Sequence, residues 1–188
     1  MARPKSDDRR NAILAAAIRI IASQGLSAPT ALIAKEAGVS NGSLFTYFDT
    51  KADLLNQLYV ELKTETAFAA LNALPNGEDV RSQMAHIWSG SLRWATSNPD
   101  KRRTLAYLTV SGEITEKSHQ IGGQAMAGVA SILEQSRKKG PMRDAPLGLV
   151  AGVMSAVADT TVDFMIKDPA NADTHSATSF EAVWRMLA

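Results

Sequence analysis

The chain contains no cysteine, which excludes a disulfide framework, a thiol nucleophile and thiolate-bound zinc. Its net charge is only +1, a value that by itself argues nothing about nucleic acid. Long hydrophobic runs are missing as well. The longest, Leu147 to Ala158, is broken by Gly148, Gly152 and Ser155, which suits a buried helix rather than a membrane span. The start, MARPKSDDRR, is basic but has no signal-like apolar segment behind it, because the stretch from Ile13 is amphipathic and carries Arg19. No export is expected, and a cytoplasmic location is. Catalytic motifs are also lacking: there is no Walker A sequence, no GxSxG elbow and no HExxH. The three histidines, His86, His119 and His175, are far apart with no carboxylate motif around them. No enzyme, metal site or cofactor is expected.

What is present is an ordinary globular composition, 45% hydrophobic and 21% charged in 188 residues. The charge is unevenly placed: residues 1–51 hold seven Lys/Arg against four Asp/Glu, and the remainder thirteen against fifteen. A basic head on a mildly acidic body is expected when only the head faces phosphates. Helical periodicity recurs throughout and no segment reads as a strand, so the fold expected is all-α with about nine helices. Ser6, followed by Asp7 and Asp8, predicts the cap of a first helix, after a short basic arm at Arg3 to Lys5. Pro29 and Thr30 open the second helix, and Thr50 with Asp53 resembles a capping box that starts a long fourth helix over about 51–73.

Residues 30–51, TALIAKEAGVSNGSLFTYFDTK, organise the N-terminal part. Leu32, Ile33, Ala34 and Ala37 make a narrow apolar stripe that stops at Gly38. Ser40-Asn41-Gly42-Ser43 offers a polar helix start, and Leu44, Phe45 and Phe48 supply docking side chains. This pattern predicts a helix-turn-helix unit.

The run from Ile33-Ala34 through Gly38-Val39-Ser40, Leu44-Phe45 and Tyr47-Phe48-x-Thr50-Lys51 resembles the DNA-binding signature of the TetR family of transcriptional regulators. The resemblance implies a DNA-binding domain at 1–50 and a helical effector-binding and dimerisation domain at 51–188, linked by the fourth helix. It also implies a homodimer on double-stranded DNA bearing a palindromic operator, and release of a repressor by a small-molecule effector. Carried over residue by residue, Thr30 takes a phosphate position, while Ser40, Asn41, Gly42 and Ser43 lie where the recognition helix meets bases or backbone. Thr46 is expected to touch a base, and Tyr47 and Lys51 to hold phosphates. Phe45 stands where the family often has Tyr, which leaves packing as its expected role. The recognition helix has no Arg, Lys or Gln, so DNA shape is expected to supply part of the specificity.

The remaining sequence carries no motif. A fifth helix is expected between breaks at Leu74 to Gly77 and Ser97 to Asp100, and a sixth from Lys101 to about Ser111. A seventh is expected over about 115–138, with Gly122-Gly123 marking a kink or a close crossing and Arg137 to Lys139 at its dipole-favoured end. An eighth runs from Pro146 to Lys167, and Thr178 with Glu181 predicts the cap of the ninth. The last two fit the dimerising pair that the resemblance implies, with Gly152, Ala156, Phe180, Val183 and Trp184 as candidate contacts; intramolecular core is the competing assignment. Met84, Trp88, Tyr107, Met126 and Phe164 are candidate effector-pocket residues, together with Asp159 and Asp163, which share a helix face. Readings as a helical-bundle enzyme or as a dimeric interaction module without DNA affinity compete with the regulator.

Overall fold

The computed structural model describes the backbone of residues 3–75, 77 and 79–188, with side chains from Asp7 onward. Among these residues there are helices and no strands. The elements are α1 (Arg3–Gln24), α2 (Thr30–Glu36), α3 (Asn41–Leu44), α4 (Lys51–Leu71), α5 (Val80–Ser97), α6 (Pro99–Thr109), α7 (Glu116–Ala125), α8 (Ala127–Ser136), α9 (Leu147–Lys167) and α10 (Ala172–Leu187), with a 3-10 turn at Pro169–Asn171. Because α1 begins at Arg3, Ser6 lies inside the helix rather than at its cap. The side chains of the predicted arm and of Ser6 lie outside the described residues.

The helices form two compact units, one of residues 1–64 with 98–124 and one of 65–97 with 125–188. The division does not fall at residue 50; α6 and α7 join the N-terminal helices. In this first unit Ile13, Leu14, Ala17 and Ile21 of α1 pack with Ile33, Ala34, Leu44 and Phe48, all within 2% of complete burial. Here α6 completes the core. Leu108 is fully buried, and the equally buried Thr104 donates its hydroxyl to Ile18 O at 3.1 Å. A buried hydroxyl tied to a helix carbonyl fixes both the position and the rotation of α6.

The start of α7 is held on α4 by Asn56, which donates to Glu113 O at 2.8 Å and accepts from the Thr115 amide and hydroxyl at 2.8 and 3.0 Å. Further along, Tyr59 OH meets His119 Nδ1 at 3.2 Å. Gly122 makes a close crossing, since a Cβ there would stand 3.0 Å from the Tyr59 ring and 3.2 Å from Lys63. Of the two readings of Gly122-Gly123, the crossing is the one realised. The chain breaks instead at Met126, between α7 and α8.

The second unit has its own core of Met84, Ile87, Trp88, Leu92, Ile132, Leu133, Val150, Met154, Val162, Phe180, Val183 and Leu187. Gly90 lets α5 approach the end of α4, where a Cβ would meet Ala69 O at 2.6 Å. The indole N–H of Trp88 donates to Ser176 O at 3.2 Å, joining α5 to α10. Arg137 does more than end α8 favourably. It is 7% exposed and donates to the carbonyls of Met142, Arg143 and Ala145 at 2.6 to 2.8 Å, closing the loop before α9 around one guanidinium. Helix α10 begins at Ala172, so Thr178 is interior and caps nothing. Its first turn is anchored by Asp168, which accepts from Asn171 at 3.0 Å and faces His175 Nε2 at 3.0 Å. These bonds, first that from Asn171, hold the Asp168 carboxyl below its usual range.

Candidate DNA-binding site

Helix α2 ends because Gly38 takes a left-handed φ of +71°, which lets the Gly38 and Val39 amides bond back to Lys35 O and Ala34 O. Ser40 then caps α3, its Oγ accepting from the Ser43 amide at 3.0 Å. The helix is shorter than its apolar spacing predicts, giving way after Leu44 to turns that carry Phe45 to Phe48. Leu44 and Phe48 are completely buried and hold this segment on α1 and α2.

At the start of α4 the Asp53 amide donates to Thr50 Oγ1 at 3.0 Å, while Asp53 Oδ2 accepts from the Asp49 amide at 3.1 Å. Both arms of the expected box exist, the second reaching one residue further back. Gln57 donates to Asp53 and accepts from Arg10 at 2.9 Å, and the Arg10 guanidinium lies 5.7 Å from the centroid of the Phe48 ring. The sequence reading missed Arg10 and Gln57. No spacing links residues 47 positions apart, and only packing of α1 across α4 joins them. Arg10, Asp53, Gln57, Glu61 and Lys117 help line a groove of about 610 Å³ in this unit.

The expected DNA-facing residues lie close together in chain and space. Ser40, Asn41, Gly42 and Thr46 are exposed, and Thr30, Ser43, Tyr47 and Lys51 are partly so. Pro29 occupies the cap position of α2, so Thr30 is its first residue and its amide is among those without an intrahelical acceptor. Thr46 donates its hydroxyl to Ser43 O at 2.7 Å. Lys51 donates to Ala28 O at 2.7 Å, an internal bond that the expectation of a phosphate ligand did not include. Phe45 is 39% exposed and is therefore not the packing residue it was expected to be; Leu44 and Phe48 already fill the core on either side of it.

The candidate effector residues differ in burial. Met84 and Trp88 are core residues of the second unit, Tyr107 is on the exposed side of α6 in the first, and Asp159, Asp163 and Phe164 lie on the outer face of α9. Met126 sits in the break before α8. Residue type suggested a pocket; burial assigns Met84 and Trp88 to the core and leaves Asp159, Asp163 and Phe164 facing outward. Among the described residues no group of three His, Asp or Glu is placed to hold a metal ion. The dimer candidates divide in the same way. Gly152 and Ala156 are exposed, whereas Phe180 and Val183 are buried in their own unit, and Trp184 stacks on Phe180 beneath the Arg81 guanidinium.

A short capped helix, set by a glycine turn against a second helix and backed by a third, defines a helix-turn-helix DNA-binding head. Residues 13–58 match the profile of bacterial regulatory proteins of the tetR family. The N-terminal segment thus resembles the DNA-binding domain of that family, and the protein is a DNA-binding transcriptional regulator. It is similar to the nucleoid occlusion factor SlmA of Marinomonas sp. (strain MWYL1), 32% identical over 58% of this chain and 56% of that protein. Another SlmA, from Shewanella woodyi (strain ATCC 51908 / MS32), is 24% identical over 97% of this chain and 94% of its own length. A solved structure from Shewanella sp. PV-4, of a protein assigned to the tetR family of transcription regulators, superposes with a TM-score of 0.80. Its identity is 27%, over 94% of this chain and 96% of that one. These likenesses point to a non-enzymatic regulator.

Proposed function

We propose that the protein is a homodimeric repressor, working in the cytoplasm, whose two heads bind a palindromic operator and are released by a small-molecule effector held in the C-terminal helices. The exposed, uncharged face of α3 between Ser40 and Thr46 carries this reading, because such a surface, lacking a core to cover, suits the edges of bases. Thr30, Tyr47 and Lys51 flank it as phosphate ligands, with Asn41, Ser43 and Thr46 toward the groove.

The partner copy is assigned to the outer face of α9 and α10. Helix α9 is, among the described residues, long and apolar enough to cross a membrane, yet only 22% of its apolar window is buried within the chain. Val153, Ala156, Thr160, Phe164, Thr178 and Ala182 line a groove there of about 600 Å³. Small side chains admit close helix approach, so a second α9–α10 pair completing a four-helix bundle accounts for this apolar surface without a bilayer. Two heads on one duplex then address half-sites about 34 to 36 Å apart, or a multiple of that spacing.

Selection of bound sequences from a random DNA pool by the purified protein tests this. A palindrome is the expected product, and a pool that stays random after selection at low salt overturns the proposal. A second reading, as a nucleoid occlusion factor, is supported by the similarity to SlmA along nearly the whole chain. Chromatin immunoprecipitation separates the two: a repressor occupies one or a few promoters, whereas an occlusion factor marks many sites spread over the chromosome.

A further inference from the structure

We propose that Phe45 reads bases: its ring and the Thr46 methyl form an apolar surface that receives thymine C5-methyl groups beside an adenine held by Asn41, so that the half-site is built on A·T pairs. This rests on the reading of α3 as the DNA-facing helix and names the bases it takes.

The geometry begins with Leu44. Its complete burial sets the inward direction of α3, while Asn41 and Gly42 of the helix and Phe45 and Thr46 of the turn that follows it stay open to solvent. All four are exposed. The surface they form has no charge, since residues 40–48 contain no Asp, Glu, Lys or Arg.

Two hydroxyl groups beside it are already engaged. The Ser40 Oγ accepts from the Ser43 amide at 3.0 Å, and the Thr46 hydroxyl donates to Ser43 O at 2.7 Å. With its hydroxyl turned back to the helix, Thr46 has its methyl left to meet a ligand. Asn41 is the one amide on the face. Phe45, 39% exposed while Leu44 and Phe48 fill the core, is a large apolar group left partly open to a ligand.

A surface of one amide and two apolar groups matches one base pair better than the other. An Asn amide pairs with adenine N6 and N7, and thymine alone presents a methyl in the major groove. Guanine O6 and N7 require donors of the Arg or Lys kind, and covering them with a phenyl ring strands two acceptors without partners. The apolar side chains therefore repel G·C pairs as well as attract A·T pairs.

The test uses the duplex selected from the random pool and a series in which each half-site thymine is replaced in turn by deoxyuridine, which removes only the methyl. Affinities are read by fluorescence anisotropy at fixed salt. Wild-type protein is expected to lose about three- to tenfold at one or two thymines, the scale of burying a methyl against an apolar surface. Phe45→Ala is expected to bind the thymine duplex more weakly by a similar factor and to stop distinguishing uridine at one of those positions. Because Phe45 is exposed, its thermal unfolding should match wild type. Equal wild-type affinity across the uridine series overturns the inference, as does a Phe45→Ala protein that keeps the full thymine preference. Failure of the wild type to bind any duplex overturns instead the assignment of α3 as the DNA-facing helix.

Discussion

The Lys51 ammonium donates to the main-chain carbonyl of Ala28 at 2.7 Å, joining the first residue of α4 to the loop that enters α2. Ala28 is 4% exposed, so the ammonium supplies a charged donor to a carbonyl in a sheltered position. Lysine has three N–H donors, and one spent on Ala28 leaves two for a phosphate.

Lys51→Met should therefore change two things at once. Operator affinity should fall and the salt dependence of binding should drop by about one released counterion. The stability should fall by about 1 kcal/mol through loss of the tether, seen as a lower melting temperature without DNA. A variant that loses affinity but melts like wild type would show that the Ala28 bond carries no weight.

Burial pushes the Lys63 ammonium below the usual lysine range, and its Nζ lies 5.9 Å from the centroid of the Tyr59 ring. The unfolded chain then holds this proton more tightly than the folded one. Stability should rise as pH climbs from the folded value toward the ordinary 10.5. Lys63→Met removes the cost of desolvating the charge, so at pH 7 its melting temperature should exceed that of wild type. The gain should shrink above pH 10. A lower melting temperature at pH 7 would mean that the contact with Tyr59 outweighs the desolvation.

Gly140 is pressed against the end of α10. A Cβ there would overlap the Leu187 carbonyl, which is backbone and cannot rotate away. Gly140→Ala should cost about 2 to 4 kcal/mol, measured by chemical denaturation, because the helix end must shift to admit one methyl. Gly148→Ala, where a Cβ meets nothing within 4 Å, is the matched control and should be nearly neutral. Equal midpoints for the two variants would contradict the packing of α8 and its loop against α10.

Ala156 lines the α9–α10 groove, and a carboxylate placed there would be buried against a second copy. Ala156→Glu should run as a monomer in size-exclusion chromatography with light scattering and bind operator at least tenfold more weakly, as only one head is then engaged. Ala106→Glu, on the exposed side of α6, should do neither. A dimeric Ala156→Glu protein would move the interface elsewhere.

The head was legible in the sequence because its signals are local. Gly38 for the turn, Ser40 for the cap, and Leu44 with Phe48 for docking are each read within a few residues. What escaped depends on which faces meet. Phe180 and Val183 mark an apolar stripe on α10, but a stripe does not say whether its cover is α5 and α9 of the same chain or another copy. Thr178 and Glu181 have the spacing of a cap, yet Asp168 and Asn171 set the start of that helix upstream, so the box lies idle in its interior. Choosing effector residues by aromatic or thioether character gathered the buried Met84 and Trp88 together with the exposed Phe164. Lys51 was read for its charge alone, with Ala28 out of view 23 residues earlier.

The hydroxyl of Thr104 on the Ile18 carbonyl makes the N-terminal unit discontinuous in the chain. A fragment cut near residue 50 or 64 would bare the surface of α1 that Thr104 and Leu108 cover, and would be prone to aggregate rather than bind. Grafting this head onto another regulator thus calls for a two-piece transplant, residues 1–64 together with 98–124. Exchange of heads between such proteins by a single crossover is correspondingly disfavoured, since one recombination point cannot carry both pieces and leave the intervening α5 behind.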